Sequence, residues 1–224
     1  MGNTCCRDAP HPAGKKNGDV EQVNYAFFSS LPSDVQEATI DHVYDGDTLT
    51  IHEQNRARVR LLGIDAPELK AKEPYAKEAA DYVKSLCPPG SRVWLRFQAD
   101  EKKDRYNRLL AFVFIANPVA GKPGYMCVNI SLLQEGLAVF YEPSGSVEHK
   151  DPMLKAMQVA IAGRRNIWRK ANLQRHVYTT PNGIAFHNPD CLTIQKVRPQ
   201  NLRKQSIAEA LEKGYSSCRE CKPL

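Results

Sequence analysis

Residues 56–68 read RARVRLLGIDAPE. From Arg56 to Ile64, charged and apolar side chains alternate as they do along a strand with one face in a core and the other in water. The apolar run stops at a turn that Pro67 helps to hold, so Asp65 and Glu68 are expected at the rim of a sheet, within reach of a substrate.

The flanking segments extend this pattern. Ala38 to Ile51 is β-rich and is broken by the turn Tyr44-Asp45-Gly46-Asp47, which predicts hairpin-connected strands. Residues 73–86 carry Ala76, Ala79, Val83 and Leu86 at helical spacing, and Pro88-Pro89-Gly90 ends that element. Val93–Phe97 and Leu109–Ile115 predict two more strands, joined by the charged connection DEKKDRYNR. Asn129 is expected to cap a short helix closed by Gly136, and residues 148–165 place Leu154, Met157, Ala160 and Ile161 on one helical face. Strands, helix, strands and two helices predict an α+β domain, a five-stranded OB-type β-barrel with about three packed helices.

Composition narrows the classes. The chain has 224 residues, 42% hydrophobic and 25% charged, and no apolar run of the roughly 18 residues that a membrane-spanning helix needs. The opening MGNTCCRDAPHPAGKK lacks a signal-peptide apolar run, so an intracellular, cytoplasmic protein is expected. The net charge is +6, of which residues 171–224 carry +4, eight cations against four anions. That balance favours an anionic partner without naming it. Seven cysteines fall into a pair (Cys5, Cys6), two singletons (Cys87, Cys127) and a trio (Cys191, Cys218, Cys221), a clustering that suits acylation and metal binding better than a disulfide framework.

Charges gather at strand ends in Asp45-Gly46-Asp47-Thr48, Arg60 to Glu68 and Asp104-Arg105-Tyr106-Asn107-Arg108. Taken singly, each of these residues reads as a surface ion pair or a turn aspartate. Together they say more. Asp47 begins a strand that can neighbour Asp65, and two carboxylates brought together repel unless a hard divalent cation joins them. Arg60 and Arg108 would face the same place as planar forks suited to phosphate oxygens.

From about Gln36 to Lys170, some 60% of the chain, the sequence resembles the staphylococcal nuclease-like (thermonuclease) family through DGDT, RLLGIDAPE, DRYNRLLA, NISLLQEGLA and RRNIW. The resemblance implies a Ca²⁺-dependent, sugar-nonspecific nuclease that cleaves DNA and RNA, preferably single-stranded, to 3′-phosphate and 5′-hydroxyl ends. It implies Asp47, Asp65 and the main-chain carbonyl of Ala66 as Ca²⁺ ligands, with Asp45 and Thr48 in the outer shell. Glu68 would act on the attacking water, and Arg60 and Arg108 on the scissile phosphate. Tyr106, Tyr141 and Arg105 would line the nucleotide site. Ala66 stands where Thr is frequent, and Asn107 where a turn glycine is. The alternative is a noncatalytic nucleic-acid or protein-binding module on the same fold, against which the joint retention of all five charged positions weighs.

The two ends carry further signals. His187-x3-Cys191, 26 residues, then Cys218-x2-Cys221 offers four ligands to a tetrahedral, structural Zn²⁺. Ser206-Ile207-Ala208-Glu209 is a capping box and Gly214 a stop, so a short helix is expected over 207–213. FHNPDC and AEALEKGYSSC resemble the small Ada-type metal-binding modules. At the other end Gly2, Cys5 and Cys6 resemble a myristoylation and palmitoylation site, which would bring peripheral association with the cytoplasmic face of a membrane. The expected organisation is a flexible tail (1–35), a nuclease-like domain (36–170), a linker (171–180) and an independently folding zinc module (181–224), in a monomer.

Overall fold

The computed structural model describes residues 24–98, 103–119, 121–142 and 147–224. Gly2, Cys5 and Cys6 lie outside them. Five strands form the centre: β1 (Val35–Val43), β2 (Thr48–Ile51), β3 (Arg58–Leu61), β4 (Arg92–Phe97) and β5 (Leu109–Ala116). β1 pairs antiparallel with β2, β2 with β3, β4 with β1 and β5 with β4. A parallel pairing of β3 with β5, Arg60 opposite Leu110, closes the ring. This is the expected five-stranded barrel. Alternation along the strands fills its interior with fully buried Ile40, Leu49, Val59, Leu95 and Val113.

Three helices pack outside: α1 (Ala76–Leu86), α2 (Val128–Gln134) and α3 (Lys150–Ala162). α1 buries Ala76, Ala79, Ala80 and Val83, the small face the periodicity indicates. α2 differs from expectation at its start. Cys127, not Asn129, occupies the N-cap, and the Asn129 carboxamide turns inward. Its oxygen accepts the Val113 N–H at 2.9 Å, and its nitrogen donates to the carbonyls of Leu62 (2.9 Å) and Ala111 (3.2 Å). A buried Asn thus completes main-chain pairing at the barrel edge instead of capping a helix.

The segment expected as a tail is part of the fold from Asn24 onward. Phe27 and Phe28 pair antiparallel with Met126 and Tyr125, and Tyr125–Cys127 in turn pairs with the end of β5. Phe28 also meets Phe114 edge-to-face at 5.3 Å.

Beyond Trp168 the chain forms a second, smaller unit of β6 (His176–Thr179) paired antiparallel with β7 (Arg203–Ser206), followed by α4 (Ile207–Glu212). The Ser206–Glu209 capping box is made in full. The unit is not separated from the barrel. Val177, Phe186, Ile207, Ala210 and Leu211 are buried in the same continuous core as the barrel and its helices. Only a small cluster of Cys191, Ile194 and Cys218 has an interior of its own.

Candidate functional site

The site begins at the tight turn into β2. The Asp45 carboxylate accepts the Asp47 N–H at 3.1 Å, and the Tyr44 N–H donates to the Thr48 carbonyl at 2.9 Å. Gly46 has a steric reason: a Cβ there would stand 2.7 Å from the Cβ atoms of both Ala66 and Ala79. The turn can therefore lie against the Asp65-Ala66-Pro67 segment and α1 only because position 46 has no side chain.

Register supplies the next contact. Thr48 is opposite Arg60 in the β2–β3 ladder, and the Leu61 N–H donates to the Asp47 carbonyl at 2.8 Å. The Arg60 guanidinium then reaches both carboxylates, Nη1 lying 2.5 Å from Asp47 Oδ2 and Nη2 2.8 Å from Asp65 Oδ1. The Ala66 N–H donates to Asp47 Oδ2 at 2.8 Å and the Thr48 hydroxyl to Oδ1 at 3.0 Å. Asp47 is only 4% exposed; burial raises its pKa to about 7 against the opposing attraction of Arg60.

Asp47 and Asp65 grip two nitrogens of one guanidinium, so their carboxylates face a common point. Two carboxylates turned to one place offer hard oxygen donors, the chemistry a divalent cation such as Ca²⁺ takes, and the desolvated Asp47 charge is one that such a cation would offset. The residues present fit the group.

A cavity of about 1050 Å³ opens beside this point, lined by Asp65, Ala66, Glu68, Glu73 and Trp168 among others. Glu68 is exposed on its wall, and its N–H donates to Glu73 Oε2 at 2.9 Å. Arg108 is held by Asp104, Nε to Oδ2 at 2.7 Å, at the mouth of β5. The carboxylate of Asp104 also accepts the Tyr106 and Arg108 N–H groups, and Asn107 takes a left-handed conformation at φ +61°. Tyr106, 65% exposed, lies beneath the guanidinium groups of Arg105 and Arg108. Arg60 is thus joined to Asp47 and Asp65, whereas Arg108 points its charge at Asp104.

The sequence reading missed Arg219. Its guanidinium lies 4.3 Å above the Tyr141 ring and donates to Asp65, Nη2 to Oδ1 at 2.5 Å and Nε to Oδ2 at 3.3 Å. Lys222 is paired with Glu73. No local pattern announces a contact spanning 154 positions. The one available hint was the excess of cations in residues 171–224.

The four C-terminal candidates do converge. One ligand atom from each of His187, Cys191, Cys218 and Cys221 lies within 4.8 Å of all the others. The Cys191 and Cys218 sulfurs are 3.9 Å apart, close to the about 3.8 Å that two thiolates on one tetrahedral zinc require. Burial lowers the His187 pKa, which favours the neutral imidazole that binds metal. The Asn188 N–H donates to the Cys221 sulfur at 3.3 Å, a contact suited to a metal-bound thiolate.

Compared with known proteins, residues 58–170, half of the chain, match the pattern of the Staphylococcal nuclease homologue family. The chain belongs to this family. Among curated endonucleases, it is 35% identical over 142 residues to the SPbeta prophage-derived endonuclease YokF of Bacillus subtilis, a match covering 60% of this chain and 44% of that protein. Endonuclease YncB of the same organism is 34% identical over 154 residues, 65% of each chain. An uncharacterized endonuclease of Escherichia coli O157:H7 is 33% identical over 132 residues, 58% of this chain and 75% of that one. The chain therefore spans less than two thirds of the length of the first two relatives. No helix among the described residues is long and apolar enough to cross a membrane.

Proposed function

We propose that this staphylococcal nuclease homologue hydrolyses phosphodiester bonds of DNA and RNA in a Ca²⁺-dependent, sugar-nonspecific reaction, leaving 3′-phosphate and 5′-hydroxyl ends. The observation that carries the reading is the grip of Asp47 and Asp65 on Arg60 at the edge of a cavity that also presents Glu68. Asp47, Asp65 and the Ala66 carbonyl would hold Ca²⁺, which when bound supplies positive charge to a non-bridging phosphate oxygen.

The protein's own groups carry the remaining steps. Glu68, exposed on the cavity wall, aligns a water and accepts its proton as the oxygen attacks phosphorus, a contribution of roughly 10² to 10⁴ in rate. Arg60 donates from within the barrel edge, and Arg108, released from Asp104, from the β5 turn; both stabilise the added negative charge of the five-coordinate transition state. The bond from phosphorus to O5′ breaks, and the leaving oxygen takes a proton from solvent. Tyr106 and Tyr141, each already beneath a guanidinium, offer faces on which unpaired bases stack, which favours single-stranded substrate.

His187, Cys191, Cys218 and Cys221 would hold a structural Zn²⁺, since four protein ligands leave no position for water. The test of the main reading is incubation of the full chain with single-stranded DNA and RNA, in Ca²⁺ or in excess chelator. Cleavage of both polymers in Ca²⁺ alone is expected; equal turnover in chelator would end the metal assignment, and intact substrate in both would leave a binding module.

A further inference from the structure

The cavity beside Asp65 has an unusual charge pattern for a place where a polyanion should lie. Asp65, Glu68, Glu73 and Glu78 all line it. From the nuclease-like domain only Lys170 opposes them there, and the other two lining cations, Arg219 and Lys222, both come from the C-terminal unit. With Asp65 already paired to Arg60, the three remaining carboxylates against one ammonium group would still repel phosphate.

Arg219 and Lys222 sit at particular places in the chain. Each directly follows a member of the ligand tetrad, Cys218 and Cys221. A metal held by the tetrad therefore fixes the backbone from which both cations project. Strand pairing fixes the same segment from the other side, Ser217 lying parallel to Phe186, which is fully buried. Arg219 then stacks on Tyr141 and bridges to Asp65, while Lys222 holds the Glu73 carboxylate that receives the Glu68 N–H.

Asp65 is also a carboxylate that a divalent cation would claim. Were Asp65 to turn to such a cation, the Arg219 guanidinium would lose that acceptor and keep its platform on Tyr141. Its fork would then be free for the cavity, 52% exposed and held 4.3 Å over an aromatic ring, a position from which a guanidinium can bind phosphate bidentately.

We infer that Arg219 is a further substrate-binding residue, a third phosphate-contacting arginine delivered to the nuclease site by the Cys218–Cys221 knuckle. The ligand is a nucleic-acid phosphate. The inference rests on the nuclease reading above.

Cleavage of a short single-stranded DNA by the full chain in Ca²⁺ is compared with that by Arg219→Ala and Arg219→Lys. If the unaltered chain cleaves nothing, it is the nuclease reading that has failed. If it cleaves, Arg219→Ala should raise KM by about tenfold, with kcat changed less than about threefold, and should flatten the dependence of log KM on log salt by about 0.7, the share of one single-strand phosphate contact. Arg219→Lys should recover the salt slope but only part of KM, because a point charge keeps the attraction and loses the fork. A second readout uses fluorescence anisotropy of the same oligonucleotide on Glu68→Gln chains in Ca²⁺, with and without Arg219→Ala. About tenfold weaker binding is expected without the arginine. Unchanged KM, salt slope and anisotropy would overturn the inference. Faster cleavage by Arg219→Ala would overturn it too, by making Arg219 a plug that competes for Asp65.

Discussion

The carboxylate of Asp47 accepts the main-chain N–H of Ala66 at 2.8 Å, joining two turns that lie 19 positions apart. The turn into β2 and the turn that follows β3 are therefore one rigid object. The carboxylate proposed to bind metal is anchored by backbone as well as by Arg60.

Asp47→Asn tests that anchor. The amide is nearly the same shape but contributes no charge, and ligand charge sets affinity in oxygen sites. Ca²⁺ affinity, measured by calorimetry, should fall by about tenfold or more and nuclease activity with it. Unchanged Ca²⁺ binding would remove Asp47 from the ligand set.

Glu68→Gln should leave oligonucleotide binding close to that of the unaltered chain and slow turnover by roughly 10² or more, since the group proposed to take the proton of water is lost. Glu68 is exposed, so no large change of stability is expected. Single-turnover kinetics provide the measurement. An unaltered rate would exclude Glu68 from the chemistry.

Arg60→Ala should affect folding as well as activity. Arg60 is 7% exposed and neutralises Asp47, 4% exposed, so its removal leaves a buried carboxylate without its cation, a change that costs about 3 kcal/mol. Added Ca²⁺ should restore part of the loss by binding the folded state. Urea unfolding with and without Ca²⁺ reads both effects; a variant as stable as the parent in chelator would contradict this account of the pair.

Gly46→Ala places a methyl group where two others already stand at 2.7 Å. Neither Ala66 nor Ala79 has a flexible end to move aside, so the turn must shift, at a cost of roughly 1–3 kcal/mol. Activity should drop further than stability alone explains, because the Asp47–Ala66 bond is displaced. Full activity in a folded variant would show the turn to be more adaptable than its packing indicates.

Cys218→Ser should remove about one equivalent of zinc, seen by elemental analysis, and loosen residues from about 176 onward, seen by hydrogen exchange. The core around Ile207, Ala210 and Leu211 is shared with the barrel. Independence of the C-terminal unit was the expectation from sequence; this continuous core predicts that the variant lowers the stability of the whole chain. Protein purified without chelators and free of zinc would defeat the metal assignment.

Much of the barrel is visible in the sequence because charged and apolar residues alternate locally along Arg58–Leu61 and Arg92–Phe97, although burial alternates only in the second, Arg60 being drawn inside by Asp47 and Asp65. The residues of the tetrad are equally visible, since Cys and His at ligand spacing stand out in any context. Asn129 misleads for a physical reason. An Asn at a helix start has an ordinary use as a cap, and nothing nearby reveals that Val113, Leu62 and Ala111 leave main-chain groups to be satisfied. Arg219 is hidden differently: its partners Asp65 and Tyr141 meet it only through the docking of one unit on the other, and long-range contacts leave no periodic trace. Phe27 and Phe28 resemble a local cluster because a two-residue strand is too short to alternate.

The pairing of Phe27–Phe28 with Tyr125–Met126 bears on how this chain can be shortened. The recognisable family pattern begins well after these residues, so a truncation at residue 36 looks harmless on paper. It would instead strip the outermost strand from the end of the sheet and bare the N–H and C=O groups of Tyr125–Cys127, an apolar edge with Met126 and Cys127 buried behind it. Open edges of that kind recruit strands from other molecules, and the trimmed protein is expected to self-associate more readily than the longer one.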